Sequence, residues 1–305
     1  MLNNKKIASG LICVGIAAII AAIAVSVIFA KNYSTDIPAP LEEAVALSTF
    51  TRQGVSVSDI VIDGETRHYA ALPDSSYLAG GECMGEAHEI LGYSHKGKNV
   101  EVYALCGYNC YGFRDGMLVD DSGADNVPIL LTFEKVSDGE TSQYIFKSAK
   151  EALDGGEFTE SVKEMFPAAL ARKALSASGD EAINQSREEQ CRRYAEAYLV
   201  SIGREAKISS YHDESFKILS DFGVSVDVSN ALYELHPEYS IYVGSFETLE
   251  SGIRYVYSTV WDGDSDGTGT VTYTKKEYDS GKVVKTYKYS VDGDSFKQVK
   301  PKKKK

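Results

Sequence analysis

The period of hydrophobic and polar positions changes several times along the chain, and these changes predict its elements. The first apolar stretch, residues 7–30, is 24 residues long and carries no charge. At a rise of ~1.5 Å per residue, a helix of this length spans a ~30 Å hydrocarbon core. Lys5 and Lys6 precede the stretch, which favours a cytoplasmic N-terminus. The pattern therefore predicts a single-pass cell-membrane protein with a signal-anchor and an extracellular C-terminal domain.

Two alternatives stay open for this apolar stretch. A cleaved signal peptide has an apolar core of ~7 to 15 residues followed by small residues, whereas here Ile28 lies close to the end. A lipoprotein needs a small residue directly before the modified cysteine, but Ile12 precedes Cys13. The sequence favours an uncleaved anchor over both.

Beyond residue 30 the pattern predicts an α+β fold, in which one N-terminal transmembrane helix is followed by two units, each a helix packed on an antiparallel meander. Alternating apolar and polar positions separated by Gly and Asp turns predict the strands. The predicted strands are residues 67–72, 83–95, 99–113, 128–136, 142–147, 239–246, 253–261, 270–278, 283–291 and 296–299. The predicted helices are residues 41–51, 159–166, 168–175, 180–202 and 226–235.

These elements divide the chain into six segments. They are a cytoplasmic N-terminus at residues 1–6, the transmembrane helix at 7–30, a stalk at 31–40, a first α+β unit at 41–175, a second at 180–299 and a basic tail at 300–305. Pro38 and Pro40 make the stalk an extended spacer.

The formal net charge of −12 argues against a nucleic acid partner, because phosphate binding needs clustered Lys and Arg. The C-terminal tail has the opposite sign, with Lys300 and Lys302–Lys305. A lysine-rich end of this kind either docks on anionic headgroups or wall polymers or is a solvated terminus.

Several sequence motifs follow one another in an order that resembles the external C-terminal region of BlaR/MecR-type antirepressor membrane metallopeptidases of Gram-positive bacteria. The motifs are residues 81–83, 86–92, 111–116, 165–167, 198–206, 223–230 and 252–257. The resemblance covers roughly residues 80–299 and implies an external module without a known catalytic assignment.

The resemblance does not imply the catalytic chemistry of that family. Its peptidase needs a zinc-binding H-E-x-x-H, but at His88-Glu89 the position of the second histidine is occupied by Gly92. Its β-lactam sensor acylates a serine within S-x-x-K, and no serine of this chain lies three residues before a lysine. The sequence therefore indicates no catalytic residue and no cofactor.

Four cysteines follow the apolar stretch, and one pair is a disulfide candidate. If Lys96-Gly97 closes a two-residue hairpin, facing residue numbers sum to 193, which places Cys83 opposite Cys110. Cross-strand Cβ atoms at ~4.5 to 5.5 Å come within bridging range. The alternative is a set of free buried thiols, because a single bulge would change the register.

An acidic loop offers a candidate metal site. Asp262, Asp264 and Asp266 alternate and Gly267 follows them, as in the first half of a calcium loop. Tyr273 stands where that loop needs a bidentate glutamate, and the loop joins two strands. A solvated hairpin tip is the favoured interpretation.

We therefore expect a membrane-anchored extracytoplasmic sensor or interaction module without catalysis, which binds an envelope protein or wall polymer through surface aromatics and acidic loops. The alternative is an envelope hydrolase whose site assembles around His88 and Glu86. A structural spacer held by the membrane and the basic tail is a third interpretation. The tyrosines, dense after Tyr233, are expected to pack on sheet faces.

Overall fold

The structure, a computed structural model, describes residues 33–72, 81–138, 141–210 and 213–300. Of these residues, 48% lie in strands and 29% in helices. The predicted transmembrane helix at residues 7–30 and most of the predicted basic tail lie outside the described residues.

No helix among the described residues is both long and apolar enough to cross a membrane. The longest of them, Glu181–Ser201, carries charged side chains along its length, Arg187 and Glu188 among them. The expectation of a single-pass membrane protein with an extracellular domain is corrected on this ground, because the structure does not support it. The transmembrane and signal-anchor interpretation is corrected with it.

The described part of the chain contains five α-helices and twelve strands. The helices are α1 (Ala39–Gln53), α2 (Phe158–Met165), α3 (Ala168–Ser176), α4 (Glu181–Ser201) and α5 (Val226–Leu235). The strands are β1 (Ser58–Ile62), β2 (Glu65–Ala71), β3 (Cys83–Lys96), β4 (Asn99–Arg114), β5 (Met117–Asp138), β6 (Thr141–Glu151), β7 (Ile208–Ser210), β8 (Gly244–Glu250), β9 (Ile253–Gly263), β10 (Thr268–Glu277), β11 (Val283–Asp292) and β12 (Ser295–Gln298).

Hydrogen bonding connects these strands into one large, almost entirely antiparallel sheet. The order is β1-β2-β3-β4-β8-β9-β10-β11-β12, with β5 beside β4, β6 and β7. The N-terminal and C-terminal strands meet where Arg114 of β4 pairs with Phe246 of β8. The predicted α+β layout of two helix-plus-meander units after a transmembrane helix is therefore wrong. Local periodicity reveals strands and hairpins, but a pairing between residues so far apart in sequence leaves no local signal.

The chain forms two compact units that are interleaved along the sequence. The first comprises the residues up to Ser48, His88–Cys106 and Asn126–Asn184, and the second comprises Thr49–Ala87, Gly107–Asp125 and the residues from Gln185 onward. The division falls inside β3, β4 and β5, so each of these long strands contributes to both units.

The first unit has apolar clusters beneath its helices. Leu41 and Val45 of α1 pack with Val102 of β4 and Leu131 of β5. The helices α2 and α3 are separate because Pro167 cannot continue α2 and instead opens α3. Their apolar faces pack with residues of β3 and β4, a cluster that includes Leu91, Tyr103, Leu105, Val162, Met165 and Leu170.

Helix α4 is the main helix of the second unit. The Asp180 carboxylate accepts hydrogen bonds from the backbone N–H groups of Ala182 and Ile183 and so caps its start. Cys191, Ala195 and Tyr198 face a cluster formed with Cys83 and Phe113, among others. At Gly85 a Cβ atom would overlap the backbone of Cys191, so glycine is needed for the close approach of α4 to β3.

The C-terminal strands β8–β12 pack an aromatic core against α5. Tyr239, Tyr257, Tyr273 and Tyr289 are buried in it together with Leu232. The prediction that these tyrosines pack on the sheet face is confirmed for these four positions.

Candidate functional site

A polar cavity of about 550 Å³ lies in the second unit, where α4 faces β4, β5 and β7. Carboxylates outnumber guanidinium groups along its wall. The ionisable acids and bases that line it are Asp120, Asp121, Asp125, Glu188, Asp213, Arg187 and Arg192. With five acidic and two basic groups, the cavity has a negative potential at neutral pH.

A second cavity of about 380 Å³ adjoins the first and shares Arg192 and Ile208 with it. Its other lining residues come from the C-terminal half of α4 and from the segment that follows, and they are Glu196, Leu199, Val200, Arg204, Glu205 and Ala206. We call the two cavities together the α4 cleft. Its ten ionisable acids and bases are seven carboxylates and three arginines, a net of −4 (3 − 7).

Strand β5 supplies three of the acidic positions of the cleft within one short stretch. Asp120, Asp121 and Asp125 lie on either side of Gly123. A Cβ atom at Gly123 would overlap the carbonyl oxygen of Tyr108, so only glycine lets β5 pass this close to β4.

Arg187 is the most enclosed basic group of the cleft, with its side chain only 11% exposed. Its Nη1 lies 3.0 Å from Asp125 Oδ1 and donates to Asn109 Oδ1 at 2.8 Å. The Nε atom is buried and finds no hydrogen-bond partner among the described residues. An unmet buried donor of this kind costs ~1 to 3 kcal/mol, and a bound ligand or water would satisfy it.

Other carboxylates of the cleft are held by neutral or basic neighbours. Asp121 accepts a hydrogen bond from Arg114 Nη2 at 2.8 Å, and Asp120 accepts one from Asn109 Nδ2 at 3.3 Å. Asp213 accepts a hydrogen bond from the Ser210 hydroxyl, a neutral partner, at 2.8 Å.

Three exposed carboxylates of the cleft form no ion pair within the described ranges. They are Glu188, Glu205 and Asp213. Arg192, by contrast, is shared between Glu196 at 3.1 Å and Glu189 at 3.9 Å. The surplus negative charge of the cleft therefore lies mainly near Glu188, Glu205 and Asp213.

A buried ion cluster adjoins the second cavity through Arg204. Arg204 donates to both oxygens of Glu247, at 2.6 and 2.7 Å. Arg254 donates to both oxygens of Glu82, at 2.7 and 2.9 Å, and to Glu247 at 3.2 Å. The Tyr198 hydroxyl donates to Glu82 at 2.7 Å. Burial and the neighbouring Glu82 raise the pKa of Tyr198, which stays a donor.

This ion cluster explains why Arg204 does not neutralise the cleft that it borders. The hydrogen bonds to Glu247 stabilise the charged guanidinium group and so raise the pKa of Arg204. The guanidinium carbon also lies 3.6 Å from the ring centroid of Phe113, a cation–π contact. The charge of Arg204 is thus matched within the fold, and the cleft stays acidic.

The residues of the predicted hydrolase site take part in separate contacts. His88 Nε2 lies 3.2 Å from Glu42 Oε1, and this hydrogen bond lowers the pKa of Glu42. Glu86 accepts a hydrogen bond from the Tyr194 hydroxyl at 3.1 Å. His88 lines neither cavity of the α4 cleft, so the cleft gives the hydrolase alternative no support.

The candidate disulfide residues lie in different apolar clusters. Cys83 packs with Tyr111 and Cys191, whereas Cys110 packs with Phe50 and Met84, so their side chains contact different sets of residues. Both thiols are free and buried. Burial raises the pKa of Cys83 and brings that of Cys110 to about 11. The pairing stays a prediction.

The candidate calcium residues form a hairpin tip. Asp266 accepts a hydrogen bond from the Thr268 backbone N–H at 2.9 Å, and Gly267 has a φ of +82° and packs against the backbone of Gly223. The described residues contain no group of three or more His, Cys, Asp or Glu side chains placed to hold a metal ion. Asp262, Asp264 and Asp266 therefore match the solvated hairpin tip, and the calcium site stays a prediction.

Sequence reasoning missed the α4 cleft. The signal that could have indicated it is the occurrence of Asp120, Asp121 and Asp125 inside a strand, because aspartate is depleted in strands. Nothing in the local sequence connects this run with Arg187 or Asp213, because folding brings these groups together.

Comparison with known proteins gives no relative for this chain. No family model matches the sequence, no curated protein is similar to it, and no solved structure matches its fold. These comparisons provide no link to the BlaR/MecR-type sensors, so that resemblance stays a prediction from sequence motifs.

Proposed function

We propose that this protein is a non-catalytic binding module that recognises a positively charged partner through the α4 cleft. The observation that carries the proposal is the cleft's net charge of −4, counted over its ten ionisable acids and bases. Each of its three arginines is held by carboxylates of the protein itself. An amine-bearing partner would meet carboxylates on both sides of the cleft.

The chemistry of the lining favours binding over catalysis. Neither cavity is lined by a histidine or a cysteine among the described residues, so the serines of the cleft, Ser122, Ser209 and Ser210, have no imidazole base beside them there. Tyr111 also lines the cleft, and burial raises its pKa. Its phenol therefore stays protonated and can donate a hydrogen bond to a ligand.

Calorimetric titration of the full chain with pentalysine tests the proposal. The variant Glu188→Gln/Asp213→Asn removes two of the three exposed cleft carboxylates that form no ion pair within the described residues. Exposed ion pairs contribute ~0.2 to 1 kcal/mol each, so we expect about fivefold weaker binding at low salt. Binding should also weaken as salt is raised to ~0.15 M.

The matched control is Glu157→Gln/Glu164→Gln, which removes two exposed carboxylates of the first unit. This variant should bind pentalysine as the wild-type protein does. Equal weakening in both variants would show diffuse attraction by net charge, and absence of pentalysine binding would refute the proposal.

A further inference from the structure

We propose that the occupant of the α4 cleft is an extended, lysine-containing peptide that adds a strand to the outer edge of β7. This inference rests on the proposed function and names the partner of the same site. Three features carry it: the side of β7 that pairs with no strand among the described residues, the length of the cleft, and the distribution of charged and apolar groups along it.

Strand β7 lines the cleft and is paired on one side only among the described strands. It pairs in parallel with β5, with Leu118 opposite Ile208, and the Leu118 N–H donates to the Lys207 carbonyl at 2.9 Å. In a parallel pair, alternate residues direct both of their backbone groups to the same neighbour. Lys207 and Ser209 therefore point to β5, and Ile208 points its N–H and C=O away from it.

Ile208 also lines both cavities of the cleft, which places the outer side of β7 next to them. A strand with one unpaired edge is a template for pairing with another chain. Recognition of an extended peptide by such an edge supplies affinity through main-chain hydrogen bonds, while adjacent pockets select alternate side chains.

The length of the cleft suits a short extended peptide. Along α4 the lining extends from Arg187 to Val200, a distance of about 20 Å at ~1.5 Å per helical residue. An extended chain rises ~3.3 Å per residue, so about six residues would fill the cleft.

The lining changes character along this length in a way that fits alternating side chains. Glu188 and Asp213 lie in the first cavity, and Glu196 and Glu205 lie in the second. The second cavity adds apolar surface from Leu199, Val200, Ala206 and Ile208. Successive residues of a strand face opposite sides, so a peptide that alternates lysine with small apolar residues matches both surfaces.

The probe is the fluorescent hexapeptide Lys-Val-Lys-Val-Lys-Val, titrated into the full chain by anisotropy. Two further peptides carry N-methyl groups, one on its valine amides and the other on its lysine amides. Only one of these sets of amides can face β7 in an added strand, so we expect one methylated peptide to lose at least tenfold in affinity while the other binds like the parent.

Equal affinity of all three peptides, or equal loss in both methylated peptides, would overturn the strand addition. Binding of pentalysine without binding of the hexapeptide would overturn this inference alone and leave the proposed function standing. If neither pentalysine nor the hexapeptide binds, the proposed function itself fails.

Discussion

Replacing Arg254 by methionine should destabilise the second unit strongly, because this side chain joins two buried carboxylates. The side chains of Glu82 and Glu247 are only 5% and 6% exposed, and that of Arg254 is 14% exposed. Methionine keeps much of the aliphatic volume but none of the charge. Glu247 would retain its two hydrogen bonds from Arg204, whereas Glu82 would retain only the Tyr198 hydroxyl among the contacts described above.

The expected loss is therefore that of one buried carboxylate without its cation, about 3 to 5 kcal/mol of unfolding free energy. Urea unfolding of the full chain at neutral pH, followed by circular dichroism, measures it. Arg192→Met is the control, because its ion pairs with Glu189 and Glu196 are exposed and should contribute less than ~1 kcal/mol.

A double-mutant cycle separates the loss of charge pairing from the loss of packing. Glu82→Gln/Arg254→Met leaves no unpaired charge at Glu82, so it should recover a substantial part of the loss caused by Arg254→Met alone. A stability of Arg254→Met within ~1 kcal/mol of the wild type would refute the reasoning. A double variant less stable than Arg254→Met alone would refute it as well.

Three further predictions concern other parts of the second unit. Gly267→Ala should destabilise by more than Gly281→Ala in urea unfolding. Both glycines have positive φ, but only at Gly267 would a Cβ atom overlap a neighbouring backbone, which adds ~1 to 3 kcal/mol to the conformational penalty. Burial lowers the pKa of His236 below 6.5, so the unfolded chain binds its proton more readily. Unfolding free energy should therefore fall as pH falls through 6.5, and His236→Gln should remove this slope. Because burial raises the pKa values of Cys110 and Cys191 to about 11 and 12, iodoacetamide at about pH 8 should modify these thiols only after unfolding.

Each of these predictions has an outcome that would contradict it. Equal losses of unfolding free energy in the two glycine variants would show that the overlap with the Gly223 backbone at Gly267 does not add to the destabilisation. For His236, the control is the same substitution at the exposed His95. An unchanged slope of unfolding free energy against pH in His236→Gln would show that another group causes the pH dependence. Rapid alkylation of the folded chain would show that the described thiols are accessible.

The sequence predicted most of the individual elements of the fold. Helix α4 was expected at residues 180–202 and lies at Glu181–Ser201, and α5 lies at the predicted Val226–Leu235. The strands β3 and β4 match their predicted ranges within one residue. These elements have strong periodic patterns and clear end signals, which are local properties of the sequence.

Elements that depend on tertiary pairing were predicted less well. Strand β5 begins at Met117, well before the predicted start at residue 128, because Asp120, Asp121 and Asp125 interrupt the apolar alternation that marks a strand. At Leu118–Asp120, pairing with β7 holds this segment in the strand although the apolar alternation is interrupted. The predicted strand at 239–246 begins only at Gly244, because Tyr239 packs into the aromatic core instead. The α4 cleft depends on the same long-range pairing and could not be predicted locally.

Cross-linking of pentalysine to the full chain tests the central claim most directly. A carbodiimide couples an amine to a carboxylate in contact with it, with loss of water, and peptide mapping then locates the amide bond formed. Recognition through the α4 cleft predicts cross-links at Glu188, Glu205 and Asp213 that are suppressed by high salt. Cross-links that fall equally on Glu157 and Glu164, or that leave the cleft unmodified, would contradict the account.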